Sequence, residues 1–177
     1  ADFGVEMHSP SDIEGFVIAV SFDDSLVTVT DVSTAGTVTE SSNAELVVPE
    51  IFSGGFTLGC VVDAAAPFDG QTIAAGSGLR LLNFTAQSVV VLDQADPIEV
   101  TGFAFSDGTF NNPPLSNIVV SGGLSFGAGN GLSLNDDPSA LSIAPPPPAT
   151  LTIENGVADA SGNGSARILM ENSGETQ

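Results

Sequence analysis

GFVIAVSFDD, at residues 15–24, and LVTVTDV, at residues 26–32, carry the clearest structural signal in the chain. Apolar side chains alternate along the first segment, so that one face of an extended backbone collects Phe16, Ile18, Val20 and Phe22. Alternation with a period of two is typical of a β-strand with one buried face, and a β-branched run after a polar turn indicates another strand. We therefore predict two consecutive strands joined by the turn at residues 23–25.

The same pattern recurs along most of the chain, at residues 55–63, 79–86, 88–92, 98–105 and 117–120. Gly, Asn, Asp, Pro or Ser separates nearly every pair of segments, as expected for turns. A weak helical pattern occurs only near residues 43–48, and the glycine-rich residues 121–137 are predicted to form a long surface loop. Frequent strands with short connections predict an all-β protein, an antiparallel β-sandwich or barrel.

Composition restricts the classes of partner. The chain has 177 residues with 42% hydrophobic content, enough for one domain with a real core. The chain has 22 acidic residues and only two basic ones, Arg80 and Arg167, which gives a net charge of −20. Such a surface repels nucleic acid and anionic membranes, and no apolar stretch is long enough to predict membrane insertion. We expect an extracellular or cell-surface protein in a saline or marine setting, where salt screens the charge.

Proline divides the chain near its end. Residues 145–148 are four consecutive prolines, which favour an extended polyproline II conformation and separate folded units. We predict a β-sandwich body at residues 1–143, a proline-rich spacer at 144–149 and a C-terminal β-strand extension at 150–177. Two strands are not stable alone, so the extension must dock on a sandwich.

The two ends of the chain resemble each other. VEMHSPSDIE at residues 5–14 can be laid on ILMENSGETQ at residues 168–177, which places Met7 on Met170 as the one identical pair. The chain then ends where a next copy would continue with Gly15 and Phe16, while residues 150–162 have no counterpart at the N-terminus. We expect that the first domain lacks its opening strand and that the C-terminal end carries a spare one.

Several of these segments resemble cohesin-like domains of bacterial secreted and surface proteins. The likeness is carried by residues 15–24 and 26–32, then by GFTLGCVVD at 55–63, PFDGQTIAAGSGL at 67–79 and LLNFT at 81–85. It implies a jelly-roll-like antiparallel sandwich that is secreted or displayed outside the cell. Such domains open with a short strand, a Gly-rich turn and a longer strand before Gly-Phe. Residues 150–177 have that form, but they follow the body instead of preceding it.

The sequence offers no catalytic constellation. His8 is the single histidine and Cys60 the single cysteine, so neither a catalytic triad nor a His-rich metal site can be built. The chain also lacks Trp and Tyr, the usual aromatic platforms for sugars. We therefore expect a non-enzymatic protein with no catalytic residues, and a buried, unreactive Cys60 because it lies in an apolar run.

The sequence also offers candidate sites for calcium binding and for N-glycosylation. Calcium takes oxygen ligands from turn carboxylates, and the first candidates are Asp23 with Asp24 and Asp63 with Asp69. The alternative is that these aspartates only initiate turns. Two N-glycosylation sequons begin at Asn83 and Asn163; Asn163 is the better acceptor because Asn83 lies in a predicted strand.

Two functions follow. In the first, the protein is a subunit of an extracellular filament or surface assembly and polymerises head-to-tail with copies of itself. The C-terminal segment of one copy adds strands to the next, with apolar anchors at Leu151, Ile153, Val157, Ile168 and Met170. In the alternative, the chain is a cohesin-like binding or adhesion module with a dockerin-like or polysaccharide partner.

Overall fold

The computed structural model describes residues 1–89, 98–100, 103–106, 115–135, 141–143, 150–153, 157–158, 164–165 and 168–171. The chain divides into two compact units. The first comprises Ala1–Val91 and Glu99–Ile143, and the second comprises Leu92–Ile98 and Ala144–Gln177.

The expected fold class is confirmed: the protein is all-β, and the first unit is a β-sandwich. The described helix is a single turn, α1 (Val38–Ser41). The described strands are β1 (Asp2–Ser9), β2 (Gly15–Ser21), β3 (Val27–Ser33), β4 (Leu46–Phe52), β5 (Gly55–Val61), β6 (Gly76–Ser88), β7 (Ile98–Val100), β8 (Ala104–Phe105), β9 (Ile118–Ser121), β10 (Leu124–Ala128), β11 (Gly131–Leu132), β12 (Leu141–Ile143), β13 (Thr150–Ile153), β14 (Val157–Ala158), β15 (Gly164–Ser165) and β16 (Ile168–Glu171).

Two sheets form the sandwich. The smaller has the order β1-β6-β3, and the larger has the order β11-β10-β9-β2-β5-β4, with β8 also paired to β2. Neighbouring strands are antiparallel, apart from the short parallel contact of β10 with β11. The core lies between the sheets and takes apolar side chains from both, including Phe84 of β6, Ile18 of β2 and Leu58 of β5.

β2 is the central strand of the larger sheet, as its pattern indicates. Phe16, Ile18 and Val20 are buried on the face toward the core. Ala19, on the opposite face, is buried too, whereas Val17 and Ser21 on that face are half-buried. β5 pairs with β2 in full register and places Cys60 opposite Phe16.

β3 follows a modified alternation. Val27 and Val29 are buried at the expected spacing, but the next buried residue is Val32. The register with β6 shifts between Val29 and Asp31, so Thr30 is an extra residue on β3. Such a bulge reverses the facing of the residues that follow it, which accounts for Val32.

Two sequence expectations are wrong. Residues 43–48 do not form a helix: α1 precedes them, Asn43 has a positive φ of 55° that ends the turn, and residues 46–52 pair with β5. Residues 121–137 are not one long loop, because they contain β10 and β11, and β10 forms a hairpin with β9. Its turn uses Gly122 and Gly123, both at positive φ, the backbone conformation that tight hairpin turns require.

Asn117 fills a gap along one edge of β2. β9 pairs with residues 15–17 and β8 with residues 20 and 21, so Ala19 faces neither strand. The Asn117 Oδ1 accepts a hydrogen bond from the Ala19 amide at 2.8 Å, and its Nδ2 donates to the carbonyls of Ala19 at 3.1 Å and Ser106 at 2.8 Å. With its side chain fully buried, Asn117 replaces the peptide group that a continuous strand would supply.

The second unit contains two short antiparallel ladders. β13 pairs with β16, with Leu151 opposite Met170 and Ile153 opposite Ile168, and β14 pairs with β15. Ladders of two strands and this length are marginally stable in water when nothing covers them.

We predict that Asn117→Ala lowers the free energy of unfolding by about 2–3 kcal/mol, because the buried amide of Ala19 loses its acceptor. Urea denaturation followed by circular dichroism measures the change. The matched control is Asn130→Ala, an exposed amide with one long bond of 3.4 Å to the Ser125 carbonyl, whose loss changes stability by less than about 0.5 kcal/mol. Equal losses in the two variants would contradict the bridging role of Asn117.

Candidate strand-accepting groove

A groove lies beside β1 in the first unit. β1 pairs with β6 along one edge, and in the described part of the chain no strand pairs with its other edge. The groove next to that edge has a volume of about 860 Å³. Its walls come from both sheets and from the segment after β11, and most of its lining is apolar: Phe3, Val5, Met7, Ile18, Val20, Leu81, Phe84, Phe103, Phe105, Val119, Leu132 and Leu134. We call this feature the β1 groove.

Aromatic rings form one end of the β1 groove. Phe3 stacks on Phe84 with ring centroids 5.1 Å apart, and Phe103 contacts both rings, at 5.0 Å and 5.2 Å. Phe22 and Phe56 extend the cluster, 5.9 Å from Phe103 and 4.9 Å from Phe84. Offset and tilted contacts at these distances are favourable and hold the rings in place, so this end of the groove is preformed.

β1 presents two chemically different faces. Phe3, Val5 and Met7 point toward the core, while Gly4, Glu6 and His8 are exposed. On the exposed face Arg80 lies over the backbone of Gly4, where a Cβ would clash with the guanidinium, and it donates to Glu6 Oε1 at 3.1 Å and 3.3 Å. This face is polar, and Gly4, Glu6 and His8 line the groove beside the core-facing residues of β1.

The edge of β1 is regular. Its pairing with β6 has two register shifts, but in both of them the extra residue belongs to β6: Leu81 in one, and one of residues 77 and 78 in the other. The alternation of buried and exposed residues accordingly continues without interruption from Asp2 to Ser9. An edge with uninterrupted alternation can hydrogen-bond another strand along its length.

The candidate metal ligands take part in turns. Asp23 Oδ1 accepts from the amide and hydroxyl of Ser25, and these bonds lower the pKa of the Asp23 carboxyl. Asp24 accepts a hydrogen bond from Ser53. Within the described residues, no group of three or more His, Cys, Asp or Glu side chains is arranged to hold a metal ion.

Asp63 differs from the other three aspartates. Its Oδ2 accepts from the Gly70 amide at 2.7 Å, while Asp69 accepts from Gln71 Nε2 at 3.2 Å. The remaining Asp63 Oδ1 and Gln71 Oε1 are buried and have no donor. Calcium at these aspartates stays a prediction, and Asp63 is the one with an unsatisfied oxygen to offer.

The other singled-out residues fall as follows. His8 lies on the exposed face of β1, with Nδ1 2.8 Å from the Ser77 hydroxyl. Asn83 lies inside β6, as expected, and its amide donates to the Ala35 carbonyl. Of the predicted anchors, Leu151, Ile153, Val157, Ile168 and Met170 lie in β13, β14 and β16. Asn163 lies outside the described residues.

The β1 groove is the feature that sequence reasoning did not locate. The available signal was the alternation of Phe3, Val5 and Met7, which identifies a strand with one buried face. Nothing in that alternation tells whether the strand has one neighbour or two. The contributions of Phe103 and Leu132 come from distant segments, and no local pattern links them to β1.

Comparison of the sequence with models of protein families and with curated proteins gave no match. In the portion of the chain that the structure describes, no helix has the length and apolar character needed to cross a bilayer.

Cys60 is buried, as predicted, with 3% of its surface exposed. Burial raises the pKa of its thiol to about 11, so the reactive thiolate is scarce at pH 8. We predict that Ellman's reagent at pH 8 labels Cys60 only as fast as the protein opens, and labels it at once in concentrated urea. Immediate, complete labelling of the folded protein would show that β5 does not shield this thiol.

Proposed function

We propose that this protein is a non-enzymatic structural subunit of an extracellular filament or surface assembly, which polymerises head-to-tail by β-strand donation. The observation that supports this most directly is the β1 groove, an apolar surface next to a strand edge that has no described partner. A strand added at this edge gains main-chain hydrogen bonds from β1 and places alternate side chains in the groove.

The other sheet edges accept a strand less well. β4, at one edge of the larger sheet, has Pro49 near its middle, which lacks an N–H, followed by Glu50. β11, at the opposite end of the described order, has only two residues. β3, at the other edge of the smaller sheet, is bent by its own bulge at Thr30. Proline, charge, shortness and bulges are the features that protect edges from pairing. β1 has no proline and no extra residue of its own. Its two acidic residues are Glu6, which is paired with Arg80, and Asp2 at its first position, which accepts a hydrogen bond from Thr85.

The donor in this proposal is the second unit. Its described strands form only two-stranded ladders, which are marginal by themselves. Leu151 and Ile153 alternate along β13, as do Ile168 and Met170 along β16, and this is the spacing that a groove beside a strand can accept. Residues 145–148 are prolines, and a proline run favours an extended chain of about 3 Å per residue, which suits a connection to a donor strand.

Donation from each copy to the next uses two different surfaces, the groove and the tail. A contact of this heterologous kind does not close by itself and propagates as a fibre. Each subunit has a net charge of −20, so the subunits repel one another and assembly should strengthen as salt screens the charge. Both features suit a filament outside the cell.

We predict that the double variant Leu151→Ser with Ile153→Ser abolishes fibres. Each side chain contributes about 2 kcal/mol when buried, so the affinity between subunits falls roughly a thousandfold. Size-exclusion chromatography and negative-stain electron microscopy measure the effect on the full chain. Deletion of residues 149–177 should give the same result.

The matched control is Thr150→Ser with Thr152→Ser, in the same strand at the intervening positions. This variant keeps both apolar anchors and should form fibres at the wild-type concentration. A wild-type chain that remains a compact monomer of about its own mass, 17.8 kDa, at high protein and salt concentration would refute the filament.

A second function, the cohesin-like binding module, is favoured by a different surface. Leu46 and Val48 of β4 and Val61 of β5 are each more than 40% exposed, and Leu46 lies directly opposite Val61. Exposed apolar residues that cluster on one sheet face are typical of a docking surface.

If the protein is a monomeric adhesion module, Val48→Glu should prevent capture of a dockerin-like or polysaccharide partner. If the protein is a filament subunit, the same substitution should leave fibre formation unchanged.

A further inference from the structure

The β13–β16 ladder of the second unit suggests a register for a strand paired with β1. β13 runs antiparallel to β16, with Leu151 opposite Met170 and Ile153 opposite Ile168. When residues 168–177 are laid on residues 5–14, Ile168 falls on Val5 and Met170 falls on Met7, the one identical pair. In this alignment β16 corresponds to β1, and β13 corresponds to a strand along the edge of β1 that has no partner within the described structure.

On the basis of the proposed function, we propose that β13 of one copy leaves β16 and pairs with β1 of the next copy in the same register. Leu151 then lies opposite Met7, and Ile153 lies opposite Val5. The occupant of the β1 groove is thus a second copy of this chain, and the segment that enters it is Thr150–Ile153.

The side-chain pattern of β1 agrees with this register. Residues directly opposite each other in an antiparallel pair lie on the same face of the sheet. Val5 and Met7 point toward the core, whereas Glu6 and His8 are exposed. The register therefore puts both aliphatic residues of β13 on the groove side. A slip of one residue would reverse every position and bring threonines into the groove.

The polar positions also fit. Thr150 falls opposite His8 and Thr152 falls opposite Glu6, so neutral hydroxyl side chains meet the charged or polar residues on the exposed face. Glu6 keeps its ion pair with Arg80 at 3.1 Å. No carboxylate is placed against another across the new ladder, which matters in a chain with 22 acidic residues.

The exchange keeps the number of paired residues and buries the apolar lining of the β1 groove. β13 and β16 form four residue pairs, and β13 with β1 would form the same four in the new position. In the new position, the apolar lining of the β1 groove loses contact with water when Leu151 and Ile153 enter it. Exchange of an equivalent element between copies is a low-cost route to association for this reason.

Disulfide cross-linking between two single-cysteine chains tests the register. Both chains carry Cys60→Ala; one adds Met7→Cys and the other adds Leu151→Cys. Opposite residues have Cα atoms about 4.5–5.5 Å apart, within the range that a disulfide spans, whereas diagonal neighbours are about 7–8 Å apart. After mild oxidation of the mixture, we expect a covalent dimer on a non-reducing gel that neither chain gives alone.

The diagonal mixture, Met7→Cys with Ile153→Cys, is the matched control and should give at least tenfold less dimer. The mixture of Val5→Cys with Ile153→Cys shows that the thiol introduced in place of Ile153 is competent, because this mixture should cross-link as well as the first pair. Thermal denaturation of each variant shows that the first unit remains folded.

The outcomes separate the register from the filament itself. Fibres in the electron microscope with a dominant cross-link from the diagonal mixture, or with no cross-link in any mixture, overturn this register and leave the filament standing. A protein that gives no fibres and no covalent dimers overturns both. Fibres with dimers from the two opposite pairs alone support the exchange.

Discussion

The structure depends on how strand edges are satisfied. Every strand has backbone donors and acceptors along both edges, and burial next to an apolar surface makes an unpaired edge costly. β2 meets this constraint completely, with β5 along one edge and β9, Asn117 and β8 in succession along the other. β1 meets it along one edge only, in the described part of the chain, and it is beside this edge that the sandwich is open. The contrast between the two strands connects the fold to the proposed assembly.

The acidic surface opposes association between copies of this chain, whereas the apolar groove favours it. With 22 acidic residues against two arginines, copies of this chain repel one another at a distance, and salt reduces that repulsion. At contact, the β1 groove offers Phe, Val, Ile and Leu side chains with almost no charge. In a filament built in this way, the acidic surface would keep the fibre soluble, and the apolar contact between the donated strand and the β1 groove would hold the subunits together. Glu6, near the middle of β1, does not oppose this, because it is already paired with Arg80.

The exposed apolar residues of β4 and β5 form a separate surface. Leu46, Val48 and Val61 lie on the outer face of the larger sheet, whereas the β1 groove opens between the two sheets, at the edge of the smaller sheet where the described residues place no partner strand. A subunit that polymerises through one surface keeps the other for a partner. Filament formation and adhesion therefore do not compete for the same residues.

The sequence alone determined the fold class and the facing of individual strands. Alternation in residues 15–24 and 55–63 is a local property with a period of two, so it predicts these strands without any information about distant parts of the chain. The sequence patterns failed where local signals were ambiguous: residues 46–52 became a strand because β5 was available to pair with them, and residues 124–128 became a strand because Gly122 and Gly123 form the turn that pairs them with β9. Tertiary structure alone decided that β1 is an edge among the described strands, that Asn117 bridges a gap to Ala19, and that Phe3, Phe84 and Phe103 surround a groove. These features join residues 19 to about 100 positions apart in the chain, and pairing over such separations depends on which surfaces the folded sheets bring together, which no short-range periodicity records.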